Sequence, residues 1–371
     1  MTSSYLLIKT AIMTYAIILA GGKGRRLWPV SRQNMPKQFI DFFGLGRTLL
    51  QQTFDRMAKI VPEDNIFVVT RENFQDIARQ QLPDLPPSNL ILETINRNTA
   101  PATLLALRSI YAKETQGNEG MNAQTSAPGC ADNERTSVII IPADQVILRE
   151  DNFKCAVQRG ASYVREHNSV LTIGVTPSRP EPGYGYIQKG DGENDFYHVK
   201  SFTEKPDREF ARMFIDSGEW LWNTSIYMAC FHKLKDHLER ILNAEGNHDF
   251  SSLLNLSLDM AILEKMEHKA VMQCDFGWAD IGTWHGIYEA LSTDETDNVV
   301  VNTRSRILAD DSMHNVVALP DGKFAVLSGL NGYIVAEKDD VLLVCKKEDS
   351  SACVRKLLSR IENEDGLEGY I

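Results

Sequence analysis

The chain has 371 residues, of which 43% are hydrophobic and 24% are charged, a composition typical of a soluble globular protein with a sizeable core. Its formal net charge of −11 argues against general binding of nucleic acid or of an anionic membrane, so we predict neither as a partner. An anionic small molecule would therefore need a local cluster of basic residues.

No apolar run in the sequence approaches the length of a membrane span. The first ten residues, MTSSYLLIKT, are too short and too weakly apolar for a secretory signal, so we predict a cytoplasmic protein. Residues 1–12 are predicted to be a disordered extension, because Met13 lies just ahead of the first strand. The six cysteines show no CxxC pair or metal-ligand spacing, and we expect reduced thiols.

The first predicted strand, residues 15–20, leads into a loop rich in glycine and basic residues, ILAGGKGRRLWPVSRQNMPK, which ends at Lys37. Glycines at the carboxyl end of a strand let backbone N–H groups approach a phosphate, which indicates a binding loop. The loop is not a Walker loop, because Gly24 follows Lys23, and it lacks the dinucleotide fingerprint, because Leu27 occupies the third glycine position. An ordinary strand-to-helix turn with solvated cations is the alternative.

Apolar β-rich runs then alternate with helix-like segments, which is the pattern of an α/β fold. The predicted strands are 66–69, 90–92, 138–141 and 171–175, and the predicted helices are 48–60, 100–113 and 152–167. We therefore predict one catalytic α/β domain over residues 13–290, Rossmann-like, with a mostly parallel sheet and flanking helices.

Two segments depart from this alternation. Residues 114–136 are polar and lack periodicity, which predicts a surface insertion. After residue 291, short strands alternate with polar turns. We therefore predict a small β-rich C-terminal domain, residues 291–371, with a helix near 351–362.

The loop also carries a recognisable signature. Its pattern G-x-G-x-R-L-x-P followed by P-K resembles that of the sugar-1-phosphate nucleotidyltransferases, and AGGKGRRLWPVSR is similar to the mannose-1-phosphate guanylyltransferase branch. Six further segments resemble motifs of this family in the same order: NRNTAPA (96–102), IPADQVI (141–147), GYGYI (183–187), FTEKPD (202–207), WNTSIY (222–227) and FGWADIGTW (276–284). The resemblance spans residues 16–284 and implies a GT-A-like nucleotidyltransferase fold.

The resemblance implies a reaction in which a sugar phosphate attacks the α-phosphorus of a nucleoside triphosphate in line and diphosphate leaves. Because the nucleophile is already anionic, such a reaction depends on positioning and charge neutralisation rather than on a general base. By resemblance, Arg26 and Lys37 are the catalytic cations. The backbone of Gly21, Gly22 and Gly24 is expected to lie along the nucleotide.

Two aspartates are the predicted metal ligands. Asp144 follows the predicted strand 138–141, and Asp280 lies in a loop far along the chain. Mg²⁺ takes oxygen ligands, and carboxylates from separate loops together with phosphate oxygens are a usual arrangement. Taken singly, each aspartate would be a turn residue or a helix cap, whereas the resemblance implies that both bind Mg²⁺.

Three motifs form the predicted sugar side. Gly185 lets the backbone approach a sugar hydroxyl, Glu204 offers paired acceptors for vicinal hydroxyls, and Asn223 can donate and accept at once. Lys205 is assigned to the sugar phosphate. Outside the family context, Glu204 and Lys205 would be read as a solvated charged turn.

The sequence gives the least information about the residues that select the base. Arg97 and Asn98 follow a strand and precede a helix, and the resemblance favours the guanylyl branch, but either residue would serve as a cap of the helix near residue 100. Arg25 is placed on the nucleotide side, where it either adds a phosphate contact or points to solvent. The spacing alone does not distinguish guanine from other bases.

The leading hypothesis from the sequence is the reaction of GTP with α-D-mannose 1-phosphate to GDP-mannose and diphosphate, with Mg²⁺ as cofactor. One alternative is a related enzyme with another sugar or base. The other is a catalytically silent nucleotide-sugar sensor, which would be free to lose the charged residues Arg26, Lys37, Asp144 and Asp280. We consider a homodimer, although the sequence does not define the oligomeric state.

Overall fold

The computed structural model describes residues 13–118, 136–246, 249–294, 296–348 and 350–371. The predicted extension 1–12 and most of the predicted insertion 114–136 lie outside the described residues. The chain forms two compact units. The first unit comprises the described residues up to Ile17, Arg97–Ile141 and Ala156–Gln273, and the second comprises Ile18–Asn96, Pro142–Cys155 and Cys274–Ile371. The domain boundaries proposed at residues 13 and 291 stay predictions.

Strands and helices alternate through most of the chain. The strands are β1 Thr14–Leu19, β2 Ile66–Arg71, β3 Leu90–Glu93, β4 Ser137–Pro142, β5 Gln145–Ile147, β6 Val170–Val175, β7 Gly185–Glu193, β8 Phe196–Glu204, β9 Trp220–Cys230, β10 Lys269–Cys274, β11 Trp278–Asp280, β12 Val299–Val300, β13 Arg306–Asp310, β14 Val316–Ala318, β15 Phe324–Ser328, β16 Tyr333–Lys338 and β17 Val341–Lys346. The α-helices are α1 Leu49–Ala58, α2 Gln75–Gln81, α3 Thr99–Asn118, α4 Glu150–His167, α5 Arg208–Ser217, α6 Phe231–Ile241, α7 Trp284–Leu291 and α8 Ser350–Glu362.

The predicted helices are present, and α1 shows why the sequence defines them well. The Thr48 hydroxyl accepts a hydrogen bond from the backbone N–H of Gln51 at 3.3 Å, and Gln51 Oε1 accepts one from the Thr48 N–H at 3.0 Å. This reciprocal pair is a capping box, which starts a helix at a defined residue. Within the described ranges, no helix is long and apolar enough to cross a membrane.

In the first unit, β9 pairs antiparallel with β4, β6 and β7, and β10 pairs antiparallel with β8. The hairpin of β7 and β8 turns at Asn194 and Asp195, which have φ values of 54° and 71°. Positive φ at both central residues is the requirement of a type I′ turn, which returns the chain beside β7 without a crossover helix. The α/β class is confirmed, but these strand pairs of the first unit are antiparallel where the sequence predicted mostly parallel strands.

In the second unit, β2 and β3 pair in parallel, as the alternation of strands and helices predicted. Among the C-terminal strands, β12, β14 and β16 are parallel neighbours, and β17 pairs antiparallel with β16. A separate parallel pair joins β13 to β15. The short strands predicted after residue 291 and the helix predicted near 351–362 are present.

A hydrophobic cluster of the second unit holds the end of the glycine loop in place. Leu27 and Trp28 pack in one core with Trp284 of α7, Val316 of β14 and Ile334 of β16. Trp284 also donates from its indole nitrogen to the Trp28 carbonyl oxygen at 3.3 Å. Packing therefore fixes Leu27 and Trp28, the residues that follow the glycines. It thereby also positions Arg25 and Arg26, which lie between Gly24 and Leu27.

Candidate active site

The glycines of the loop have different structural reasons. Gly24 has a φ of 63°, and a Cβ there would lie 3.1 Å from the Lys37 backbone nitrogen, so conformation and space both require glycine. A Cβ on Gly21 would lie 2.8 Å from Glu93 Oε2. At Gly22, by contrast, no described atom lies within 4 Å of the Cβ position. Of the three, Gly22 thus presents the most open backbone to a ligand.

Lys37 begins a short 3₁₀ helix, Lys37–Phe39, and its side chain is buried. Its Nζ donates to the Ile281 carbonyl oxygen at 3.0 Å and lies 2.8 Å from Asp144 Oδ2 and 3.7 Å from Asp280 Oδ1. The structure therefore brings a predicted catalytic cation and both predicted metal ligands into one cluster.

Strand pairing explains how two aspartates far apart in sequence come together. β11 pairs antiparallel with β5 in a register that places Asp280 opposite Gln145, and Asp144 directly precedes Gln145. The two carboxylates offer oxygen ligands of the kind that a hard divalent cation prefers. In the described parts of the chain, no group of three or more His, Cys, Asp or Glu side chains is arranged to hold a metal. Two carboxylates leave other coordination positions of a divalent cation for further oxygens, such as those of water and phosphate.

Arg25 and Arg26 are neighbours with different surroundings. The Arg25 guanidinium forms an ion pair with Glu362 of α8. No hydrogen bond or ion pair with a described residue engages the half-buried Arg26 guanidinium. A Cβ on Gly282 would lie 2.9 Å from Arg26 Nη2 and 2.6 Å from Asp280 Oδ2, so Arg26 adjoins the cluster of Lys37 and the aspartates. Arg26 is available to an anion, whereas Arg25 already has a partner.

Glu93 is a buried acid that the sequence analysis did not single out. It ends β3, and its Oε1 has no hydrogen-bond partner among the described residues. Burial raises the pKa of Glu93 to about 7, although the charge of Arg71 acts in the opposite direction. Glu93 lines a cavity of about 410 Å³ together with Arg71, Asn73 and Asn96. The sequence signal that could have identified Glu93 is an acidic residue at the last position of an apolar strand.

On the predicted sugar side, in the first unit, Gly185 and Glu204 are paired across β7 and β8. A Cβ on Gly185 would lie 3.1 Å from Glu204 Oε2 and 2.8 Å from a ring carbon of Phe202, so a larger residue would displace the carboxylate. Glu204 is exposed and forms an ion pair with Lys205, whose φ is 48°. The structure therefore brings Gly185, Glu204 and Lys205 together.

Asn223 lies buried in β9, and its amide already has protein partners. Its Nδ2 donates to Asp259 Oδ1 at 2.6 Å, while its Oδ1 accepts from Thr172 Oγ1 at 3.1 Å and from the Ser225 N–H at 3.2 Å. The motif predicts that this amide faces a sugar, and that role stays a prediction. Asp259 was not among the predicted residues, because no motif or spacing links it to Asn223.

Arg97 and Asn98 lie at the start of α3, also in the first unit. Arg97 donates to the Ser251 carbonyl oxygen. Asn98 has a φ of 74°, and its Oδ1 accepts a hydrogen bond from the Thr99 N–H at 2.9 Å. The Arg97 contact is made with another segment and the Asn98 contact with the first residue of α3, so the choice between a cap and a contact with the base stays open and both stay predictions.

Comparison with known proteins identifies the class. A sequence profile described as nucleotidyl transferase matches residues 15–297, which is most of the chain and includes every predicted site residue. The chain therefore belongs to the nucleotidyl transferase family.

Individual relatives show which members of the nucleotidyl transferase family this chain is similar to. Mannose-1-phosphate guanylyltransferase of Klebsiella pneumoniae is 31% identical over 91% of this chain and 72% of its own length. Mannose-1-phosphate guanylyltransferase 2 of Escherichia coli O157:H7 is 29% identical over 95% of this chain and 74% of its own length. A crystal structure from Thermus thermophilus, described as a mannose-1-phosphate geranyltransferase, matches 94% of this chain and 99% of that chain, with 29% identity and a TM-score of 0.79. The nucleotidyltransferase fold is thereby confirmed.

Proposed function

We propose that the chain synthesises GDP-mannose by transferring the guanylyl group of GTP to α-D-mannose 1-phosphate, with release of diphosphate. The family and the names of its relatives support this assignment. The observation that carries the chemistry is Lys37 between Asp144 and Asp280, with Arg26 alongside. Catalysis of phosphoryl transfer needs cations for the phosphates and carboxylates for their metal, and this cluster supplies both.

On the nucleotide side, the second unit supplies fixed positive charge. The Lys37 ammonium and the Arg26 guanidinium would neutralise the charge that develops on the α- and β-phosphates as diphosphate leaves. Lys37 is held by the Ile281 carbonyl oxygen and by two carboxylates, so its position is set before substrate binds. The open backbone at Gly22 would lie along the nucleotide.

Asp144 and Asp280 fit a divalent cation, and we propose Mg²⁺. Their oxygens come from two separate segments, which leaves positions for phosphate and water oxygens. When bound, the metal would supply further positive charge to the triphosphate. The contribution of the chain is to hold both carboxylates in place through their contacts with Lys37.

On the sugar side, the first unit supplies Gly185, Glu204 and Lys205. The Glu204 carboxylate would accept hydrogen bonds from two sugar hydroxyls, and the exposed Lys205 ammonium would bind the sugar phosphate. The phosphate oxygen of the sugar phosphate is already anionic, so its correct placement replaces a general base.

A diphosphate-release assay tests the assignment. GTP, ATP, UTP and dTTP would each be combined with the 1-phosphates of mannose, glucose and galactose, with Mg²⁺ present. We expect the highest kcat/KM for GTP with mannose 1-phosphate, and no comparable signal from Lys37→Met protein purified in parallel. A preference for another pair would withdraw the specific assignment within the family. No turnover with any pair would favour the sensor.

Location and assembly belong to the same proposal. The cytoplasmic location and the homodimer remain predictions, which cell fractionation and sedimentation of the purified chain would test.

A further inference from the structure

Three polar side chains of the WNTSIY segment donate hydrogen bonds to a single carboxylate oxygen. Asp259 Oδ1 accepts hydrogen bonds from Asn223 Nδ2 at 2.6 Å, Ser225 Oγ at 2.7 Å and the Tyr227 hydroxyl at 2.8 Å. The second oxygen, Oδ2, forms no hydrogen bond with a described residue, although a carboxylate offers about four acceptor positions. Asp259 is half-buried. It is thus held firmly on one side and open to a donor on the other.

The backbone is irregular on both sides of this contact. Ser225 has a φ of 56°, which is uncommon for a residue with a Cβ. Asp259 directly precedes a π-helical turn, Met260–Glu264, and such turns are frequent at functional sites. The hydrogen bond from Ser225 to Asp259 connects these two irregular segments. Each uncommon backbone conformation is therefore supported by a contact with the other segment.

The network adjoins the predicted sugar residues. Burial first, then the charge and hydrogen bond of Asp259, and more weakly the charge of Glu204, raise the pKa of Tyr227 well above its ordinary value. Tyr227 therefore stays a neutral donor to Asp259. Strand register places Glu204 in the same region of the first unit, because β7 pairs Gly185 with Glu204 and pairs the next residue, Tyr186, with Trp222, the neighbour of Asn223. Because sugar hydroxyls are hydrogen-bond donors, an acceptor-rich region of this kind suits a hexose.

We propose that Asp259 binds the hexose through Oδ2 while its Oδ1 fixes the WNTSIY segment. This inference rests on the proposed function and adds a sugar ligand to Glu204. It also assigns Asn223 a different part: the buried amide positions Asp259 instead of contacting the sugar itself.

The test compares Asp259→Asn with Asp216→Asn. Asp216 is an exposed residue of α5 that lies outside every motif and forms no hydrogen bond or ion pair with a described residue. The control therefore removes one negative charge from the same unit without touching the network. For Asp259→Asn we expect the KM for mannose 1-phosphate to rise on the order of tenfold or more, with the KM for GTP within about twofold. Asp216→Asn should leave both constants within about twofold.

Ser225→Ala keeps the test informative if Asp259→Asn does not fold. It removes one of three donors to Oδ1, and we expect a rise of about fivefold in the same KM. A lower melting temperature with unchanged KM for mannose 1-phosphate in these variants would overturn the inference and leave the proposed function standing.

Binding of mannose 1-phosphate, measured by calorimetry, separates the two proposals. If the wild-type chain binds this ligand but does not turn it over, the proposed function fails, and weaker binding by Asp259→Asn alone still supports the inference. Equal binding by all variants would overturn the inference. No binding by the wild-type chain would overturn both.

Discussion

Two clusters of polar groups, one in each unit, are held together in different ways. In the second unit, charged side chains neutralise one another: Lys37 is 7% exposed and contacts Asp144 and Asp280, which are 25% and 23% exposed. In the first unit, the neutral amide of Asn223 is buried and donates to Asp259.

This difference has a consequence for function. A cluster of opposite charges is preorganised for a reaction in which charge moves, and loss of one member leaves its partners uncompensated. A hydrogen-bonded network around one acceptor weakens in smaller steps. We therefore expect substitutions in the cluster of Lys37, Asp144 and Asp280 to act mainly on kcat, and substitutions in the network of Asn223 and Asp259 to act mainly on the KM for sugar phosphate.

The largest effect is expected for Lys37→Met. Methionine fills a similar volume but removes the cation between the two carboxylates, so kcat should fall on the order of a hundredfold or more. The KM for mannose 1-phosphate should change much less. Steady-state kinetics with each substrate varied measures both, and circular dichroism with thermal melting checks the fold. A kcat close to that of the wild-type chain would remove Lys37 from catalysis.

The aspartates test whether the cluster acts as a unit. Asp144→Asn and Asp280→Asn should each raise the Mg²⁺ concentration for half-maximal rate by about tenfold or more, because each removes a charged oxygen ligand. The double variant should be little worse than either single variant, since residues that act together are not additive. Titration of Mg²⁺ against rate for the three variants decides this. Multiplicative losses with an unchanged Mg²⁺ midpoint would mean that at least one aspartate is a structural turn residue.

Glu93 gives a smaller effect, on stability instead of rate. Burial raises its pKa to about 7 from an ordinary value of 4.5, so the folded state favours the protonated acid. Protonation of Glu93 therefore stabilises the folded state relative to the unfolded chain. This contribution is fully present below pH 4.5 and is lost as pH rises through about 7. Glu93→Gln should therefore gain stability relative to the wild-type chain between pH 5 and pH 8, by up to about 3 kcal/mol.

Melting temperatures of Glu93→Gln and the wild-type chain at several pH values measure this gain. Glu63→Gln is a suitable control, because Glu63 is exposed and the substitution should shift stability little at any pH. A constant difference between Glu93→Gln and the wild-type chain from pH 5 to pH 8 would show that Glu93 is ionised throughout.

Local signals made most of the fold predictable. The strand before Gly21, the capping box at Thr48 and the alternation of strands with helices each depend on neighbouring residues. The antiparallel hairpin at Asn194 and Asp195 was missed, although two residues that tolerate positive φ mark such a turn. That turn explains why β8 runs antiparallel to β7, whereas the antiparallel pairing of β9 with β4 and β6 joins strands far apart in sequence and has no local signal.

Candidate site residues could be predicted only where they belong to motifs. Asp144 and Asp280 were predicted as metal ligands by resemblance, and the strand register that brings them together has no counterpart in their spacing along the chain. Asp259 lies 36 residues from Asn223 in a segment without a motif. Its role depends on which donors the fold brings to one oxygen, and that is a tertiary property that sequence pattern does not encode.

The smallest effect is expected at Arg25, which sharpens the comparison within a single loop. Its ion pair with Glu362 joins side chains that are 36% and 37% exposed, and pairs this exposed contribute little to stability. Arg25→Ala and Glu362→Ala should therefore leave kcat and the KM for GTP within about twofold of wild type. Arg26→Ala should lower kcat on the order of a hundredfold. Both substitutions break the same ion pair, so an effect of losing that pair would appear in both variants. If Arg25→Ala raised the KM for GTP about tenfold and Glu362→Ala did not, the Arg25 guanidinium itself would bind the nucleotide, which would contradict this prediction.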